Sequence, residues 1–149
     1  MRCRALSRDE LKEALVEAHH DFVAAPNDEL SMQTLTLFFG TIRQLLDAGL
    51  SVAVEAAFQH KVWAPNLEPL TELASIRVIQ CHTDPDTARR RMVDRGVRIA
   101  HADSDVLANP TYFENFHRVA IDAPSIDVDT TDGYDPSLER IAAFTARGG

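Results

Sequence analysis

Glu55 is the residue whose setting most demands a chemical reason. It closes Val52-Ala53-Val54-Glu55-Ala56-Ala57, with apolar neighbours on both sides, and a carboxylate taken out of water is costly unless it is paired or binds a metal. A salt bridge to an arginine satisfies it. So does a magnesium or water-positioning role, since Mg²⁺ takes one or two carboxylates together with phosphate oxygens. A second feature is cationic. Five of the 15 basic residues, Arg89, Arg90, Arg91, Arg95 and Arg98, fall within ten positions with Asp94 as the only acid, whereas residues 121–139 carry six acids and no base. Charge runs are commonly solvated helix faces, yet a local cationic patch in an acidic chain also suits a bound polyphosphate. The third feature is Ser7-Arg8-Asp9-Glu10, whose acids meet the positive end of a helix dipole.

These residues must be carried by elements, and the pattern alternates strands with helices. Residues 2–6 read as a short strand, and Ser7-x-x-Glu10 is a capping box that opens a helix to about Ala24, with Leu11, Ala14, Leu15 and Ala18 at helical spacing. A second helix runs from near Ser31 to Gly49, which suits the left-handed C-terminal position. Ser51–Ala57 reads as a buried strand. Pro65 suits the first turn of a helix through Ala74, Ile76–Cys81 reads as a strand, and Asp84-Pro85 opens a helix that ends near Gly96. A polar, histidine-bearing segment follows, then a helix around Tyr112–Arg118, a last strand over Ser125–Thr130, and a helix capped by Asp135-Pro136 and ending near Ala146. Strands separated by helices predict parallel crossovers and an α/β sheet. In such sheets function gathers at the carboxyl ends of strands, and the three features fall there.

The chain has 149 residues, which fits one domain, and it is 45% hydrophobic and 26% charged, enough to build a core. Its formal net charge of −8 disfavours duplex DNA as a partner. Two cysteines, Cys3 and Cys81, provide no disulfide framework, and Cys81 reads as a buried small hydrophobe. The amino-terminal residues contain no apolar run of signal-peptide length and no stretch reaches membrane-spanning length, so the expected location is cytoplasmic, with no membrane partner. None of the six histidines shows a metal-binding spacing, although His101 lies near the arginine run. Asp127-Val-Asp-Thr-Thr131 matches a phosphatase-type D-x-D-x-T pattern, but only 18 residues follow it, too few for the domain that motif opens.

Taken together, Ser7–Glu13, Leu45–Phe58 and Asp84–Gly96 resemble the P-loop kinase-like ATPases, in particular small phosphotransferases of the polynucleotide-kinase, zeta-toxin and chloramphenicol-phosphotransferase type, and the likeness spans nearly the whole chain. It implies a three-layer α/β/α domain with a mostly parallel sheet of order 2-3-1-4-5, a lid over about residues 89–104, and ATP with Mg²⁺ as cofactors. It also implies roles for residues. Asp9 is then the base for an acceptor hydroxyl, Arg8 and Lys12 contact that acceptor, Glu55 stands beside magnesium, and Arg91 and Arg95 lean on the transferring phosphoryl group. Thr131 and Asp132 lie near the nucleotide base. Phosphoryl transfer needs these parts: a base, a metal-side acid and cations against developing charge.

The family's first strand and G-x-x-x-x-G-K-[ST] turn have no counterpart. The first glycine is Gly40, and the two lysines, Lys12 and Lys61, precede Glu13 and Val62, so no turn here aims backbone N–H groups at phosphates. The expectation is a chain lacking its first strand, P-loop and first helix, roughly 25–35 residues by typical element lengths. The alternative is a degenerate, non-catalytic kinase-like subunit that pairs with a partner or with itself through open sheet edges. A small molecule or a nucleic-acid end bearing a hydroxyl is the expected acceptor.

Overall fold

The computed structural model describes residues 4–25, 28–96, 98–109, 112 and 117–146. The chain divides into two compact units, one of Met1–Ala57 with Gly96–Asn109 and one of Phe58–Arg95 with Pro110–Gly149. The span expected to be a lid is shared between them at Arg95–Gly96.

In the first unit, β1 (Arg4–Ser7) pairs in parallel with β2 (Val52–Glu55), with Ser7 opposite Glu55. Between them lie α1 (Arg8–Glu17) and α2 (Glu29–Asp47), which pack on each other, and α2 also packs on β2. Ser7 caps α1 as its sequence predicts, its hydroxyl accepting from the Glu10 N–H at 3.5 Å. The helix ends seven residues before the expected Ala24. The His19 ring takes the Leu15 carbonyl at 2.7 Å while the His19 N–H turns back to Val16 at 3.0 Å, so a side chain satisfies the carbonyl that another turn would have used. The inward face of α1 also differs from the expected one: Lys12 is buried while Ala14 and Ala18 are exposed.

Helix α2 supplies the unit's apolar core with Leu30, Phe38 and Ile42, and Phe38 meets Phe39 edge to face at 5.3 Å. Its C-terminus is a Schellman motif. The Gly49 N–H reaches Leu46 O at 2.8 Å and the Leu50 N–H reaches Leu45 O at 3.0 Å, with Gly49 at φ +72°. Strand β2 is half-buried rather than buried. Val52 and Val54 point inward, Ala53 and Glu55 outward, the alternation of a strand covered on one face. A 3-10 turn at Ile99–His101 and the short helix α5 (Asp103–Ala108) complete the unit. Ala102 between them holds a left-handed conformation at φ +52°.

In the second unit, β3 (Val78–His82) pairs in parallel with β4 (Ser125–Asp129). Helix α3 (His60–Leu67) begins five residues ahead of Pro65, because Trp63, Ala64 and Leu67 form its buried face, and it continues as a 3-10 turn at Glu68–Leu70. Phe58 packs edge to face on Trp63 at 5.4 Å. Helix α4 (Pro85–Asp94) starts and stops where Asp84-Pro85 and Gly96 (φ +82°) place it, with Asp84 accepting from the Thr87 N–H at 2.8 Å. The last helix, α6 (Leu138–Ala146), starts after Ser137 instead of at Pro136. Asp135 is occupied in a two-way backbone bridge with Asp129, at 2.8 and 2.9 Å. Cys81 is exposed on β3, not buried. The helix expected around Tyr112–Arg118 falls largely on 113–116, outside the described residues.

Candidate functional site

Each unit gathers its polar residues at the carboxyl ends of its two strands. In the first, parallel register sets Ser7 beside Glu55, and the Ser7 hydroxyl donates to Glu55 Oε1 at 3.4 Å. Glu55 is exposed. The apolar residues that flank it in sequence sit to either side along the strand, so its carboxylate needs no buried partner, contrary to the sequence expectation. An exposed carboxylate at a strand end is a hard-oxygen donor of the kind Mg²⁺ takes alongside phosphate oxygens. Among the described residues no cluster of three or more His, Cys, Asp or Glu is arranged for a metal.

Asp9 and Arg8 open α1 immediately after Ser7. Arg8 Nη1 donates to Asp9 Oδ1 at 3.2 Å, and the Asp9 side chain keeps a third of its surface in solvent, so it can meet a second molecule. Lys12, one turn on, is differently placed. Its Nζ donates to Asp28 Oδ2 at 2.9 Å and to Ser31 Oγ at 2.8 Å, with both ends of the ion pair buried. Asp28 also caps α2 by accepting from the Ser31 N–H at 2.6 Å and takes the Ala25 N–H at 3.1 Å. Burial pushes the Asp28 carboxyl up, but the bonds from Lys12, Ser31 and Ala25 outweigh it and leave the group below the usual carboxylate range. Lys12 thus fastens the helix bearing Asp9 to the start of α2.

A cluster that the sequence reading left unassigned lies on the same helix. Glu13 Oε1 accepts from Arg98 Nη1 at 3.1 Å and faces His101 Nε2 at 3.2 Å, while His101 Nδ1 stands 3.8 Å from Asp9 Oδ1. The one available signal was the four-residue spacing of Asp9 and Glu13, which puts two carboxylates on one helix face. Their partners, 85 and 88 positions beyond Glu13, left no local trace.

In the second unit the strand ends are tied by threonines. Thr130 donates through its N–H and its hydroxyl to His82 O at 2.8 and 2.9 Å, and Thr131 Oγ1 lies 3.1 Å from Thr83 Oγ1. Arg91 Nη2 donates to the carbonyls of Thr130 at 2.6 Å and Thr131 at 3.0 Å. The structure therefore brings together Arg91 and Thr131, two of the predicted residues; Arg95 and Asp132 are exposed nearby in the chain, after α4 and β4 respectively. The N–H of Thr131, bonded at 2.7 Å, and its hydroxyl hold Asp129 below the usual carboxylate range. The hydroxyl and N–H of Thr87 do the same for Asp84.

No family model matches the sequence, and no curated relative matches it. The chain is similar in structure to a protein from Chloroflexus aurantiacus J-10-fl described as a "putative kinase", with a TM-score of 0.67 at 18% identity. The two chains share a fold. The match covers 97% of this chain and 79% of that one, and the helices and short parallel strands of this chain are of the α/β class that the sequence predicts. No described helix is long and apolar enough to cross a membrane.

Proposed function

We propose that the chain is a P-loop kinase-like protein, competent for ATP-dependent phosphotransfer to a hydroxyl acceptor when a phosphate-binding front segment is joined to it. The observation that carries the reading is the placement of Asp9, Arg8 and the Ser7–Glu55 pair at the carboxyl ends of two paired parallel strands, the end at which open α/β sheets bind ligands. Likeness to a protein described as a kinase supports it. Each unit contributes one parallel strand pair, β1–β2 and β3–β4, of the kind such α/β folds use. A strand, phosphate-binding turn and helix joined to these 149 residues would complete the three-layer domain.

Asp9 takes the proton of the acceptor hydroxyl, and Arg8, bonded to Asp9, orients the carboxylate and contacts the acceptor. Glu55 would hold Mg²⁺, which would neutralise charge on the phosphate oxygens. In the second unit, the resemblance assigns Arg91 and Arg95 to phosphoryl groups, Arg91 once released from the Thr130 and Thr131 carbonyls, and Thr131 and Asp132 to the nucleotide base. Lys12 contributes by fixing α1 through Asp28; contact with the acceptor would require that buried pair to open.

The test is transfer of labelled γ-phosphoryl from ATP to hydroxyl acceptors by the chain joined to such a segment. Asp9→Asn should lower turnover by about a hundredfold or more without changing the melting temperature. Unaltered turnover removes Asp9 as the base. A stable dimer of the 149-residue chain that ATP with Mg²⁺ does not stabilise would favour the non-catalytic, self-pairing subunit instead.

A further inference from the structure

Among the described residues of the first unit, His101 is an imidazole that meets two carboxylates from a single helix face. Its side chain is 9% exposed, with Nε2 3.2 Å from Glu13 Oε1 and Nδ1 3.8 Å from Asp9 Oδ1. The charged groups around it are Arg8, Asp9 and Glu13 on α1, and Arg98 and Asp103 on its own segment. Arg8 binds Asp9, and Arg98 binds Glu13 through its guanidinium and the buried Asp103 through its backbone N–H at 2.9 Å. A neutral imidazole carries one N–H, and an ionised carboxylate can only accept. Glu13 therefore selects the tautomer protonated at Nε2. That leaves Nδ1 bare on the side of Asp9.

We infer that His101 is a positioning residue for Asp9 and the receiver of the proton that Asp9 collects, with Glu13 orienting the ring. This rests on the reading of Asp9 as the base. As the acceptor oxygen bonds to the γ-phosphorus, the bond from phosphorus to the leaving ADP oxygen breaks and the hydroxyl proton passes to Asp9 Oδ1. The new O–H of Asp9 then donates to His101 Nδ1, closing the 3.8 Å gap by about 1 Å to hydrogen-bonding range. The proton crosses to Nδ1. The resulting imidazolium lies between the Asp9 and Glu13 carboxylates and loses that proton to water when product leaves, which restores the starting tautomer. Glu13 and His101 follow the logic of a carboxylate–histidine pair, in which the carboxylate, here Glu13, orients the ring and stays ionised.

The test is ¹⁵N-histidine NMR of the 149-residue chain, on the alkaline side of the imidazole range. His101 should be almost wholly in the Nε2–H tautomer. Glu13→Ala, a favourable helix substitution at a half-exposed site, should reduce that preference several-fold. Asp9→Asn, whose amide can donate to Nδ1, should shift the Nδ1 resonance and keep the tautomer. A His101 protonated at Nδ1, a tautomer indifferent to Glu13→Ala, or an Nδ1 resonance indifferent to Asp9→Asn would each overturn the inference. None of these signals depends on ATP. Unaltered phosphotransfer by Asp9→Asn would overturn the base assignment while leaving the resonances as expected, so the two failures are told apart.

Discussion

The two units spend their cations differently. In the first, Lys12 is 3% exposed and its pair with Asp28 joins two helices in the interior. In the second, Arg91 lies in the open and ties α4 to the loop after β4 through two backbone carbonyls. A buried ion pair is expensive to break, because removing one partner strands the other charge away from water. An exposed guanidinium on carbonyls can let go and be rehydrated at little cost. The difference separates a buried cation that holds a scaffold from an exposed one that can exchange partners at little cost.

Lys12→Met offers the sharpest way to break this contrast. It should destabilise the protein by about 3 kcal/mol, within the range for an orphaned buried charge, read by chemical denaturation. Gly49→Ala comes next, at about 1 kcal/mol, because an alanine at φ +72° meets the left-handed penalty. Arg91→Met should cost no more than about 1 kcal/mol, and a loss equal to that of Lys12→Met would erase the distinction between the units.

Acid provides a finer comparison. The folded Asp28 carboxyl lies below its ordinary value, so its stabilisation is complete above the unfolded pKa of about 3.9 and is lost as pH falls through the lower folded value. Wild type should therefore lose stability below about pH 4 more steeply than Lys12→Met, which has already lost the strongest bond to that carboxylate. Parallel curves would mean that the Lys12 bond does not set the shift.

Local signals were legible. Ser7-x-x-Glu10, Asp84-Pro85, Gly49 and Gly96 each fix a helix end through nearest neighbours, and each acts where the sequence places it. The misreadings arose where a distant or competing partner intervened. The His19 ring ended α1 early, and the buried face of Trp63, Ala64 and Leu67 started α3 ahead of its proline. Apolar neighbours made Glu55 look buried, but a strand covered on one face exposes every second residue, whatever those residues are. Of the candidate site, Asp9 and Arg8 were readable as an acidic and a cationic side chain opening a helix. The His101–Glu13 contact was not, because its two halves are 88 positions apart.

Both ladders are parallel, and each pairs residues 47 or 48 positions apart. No turn can zip such strands together, so neither sheet can form until the helices between its strands have condensed and brought the ends into range. Contacts this distant slow folding and prolong the time during which edges stand open. For a chain emerging from the ribosome, β1 must wait for β2, and β3 for β4, with nearly fifty residues synthesised in between. The interval in which this protein is vulnerable to association with its own copies is thus written into its strand pairing.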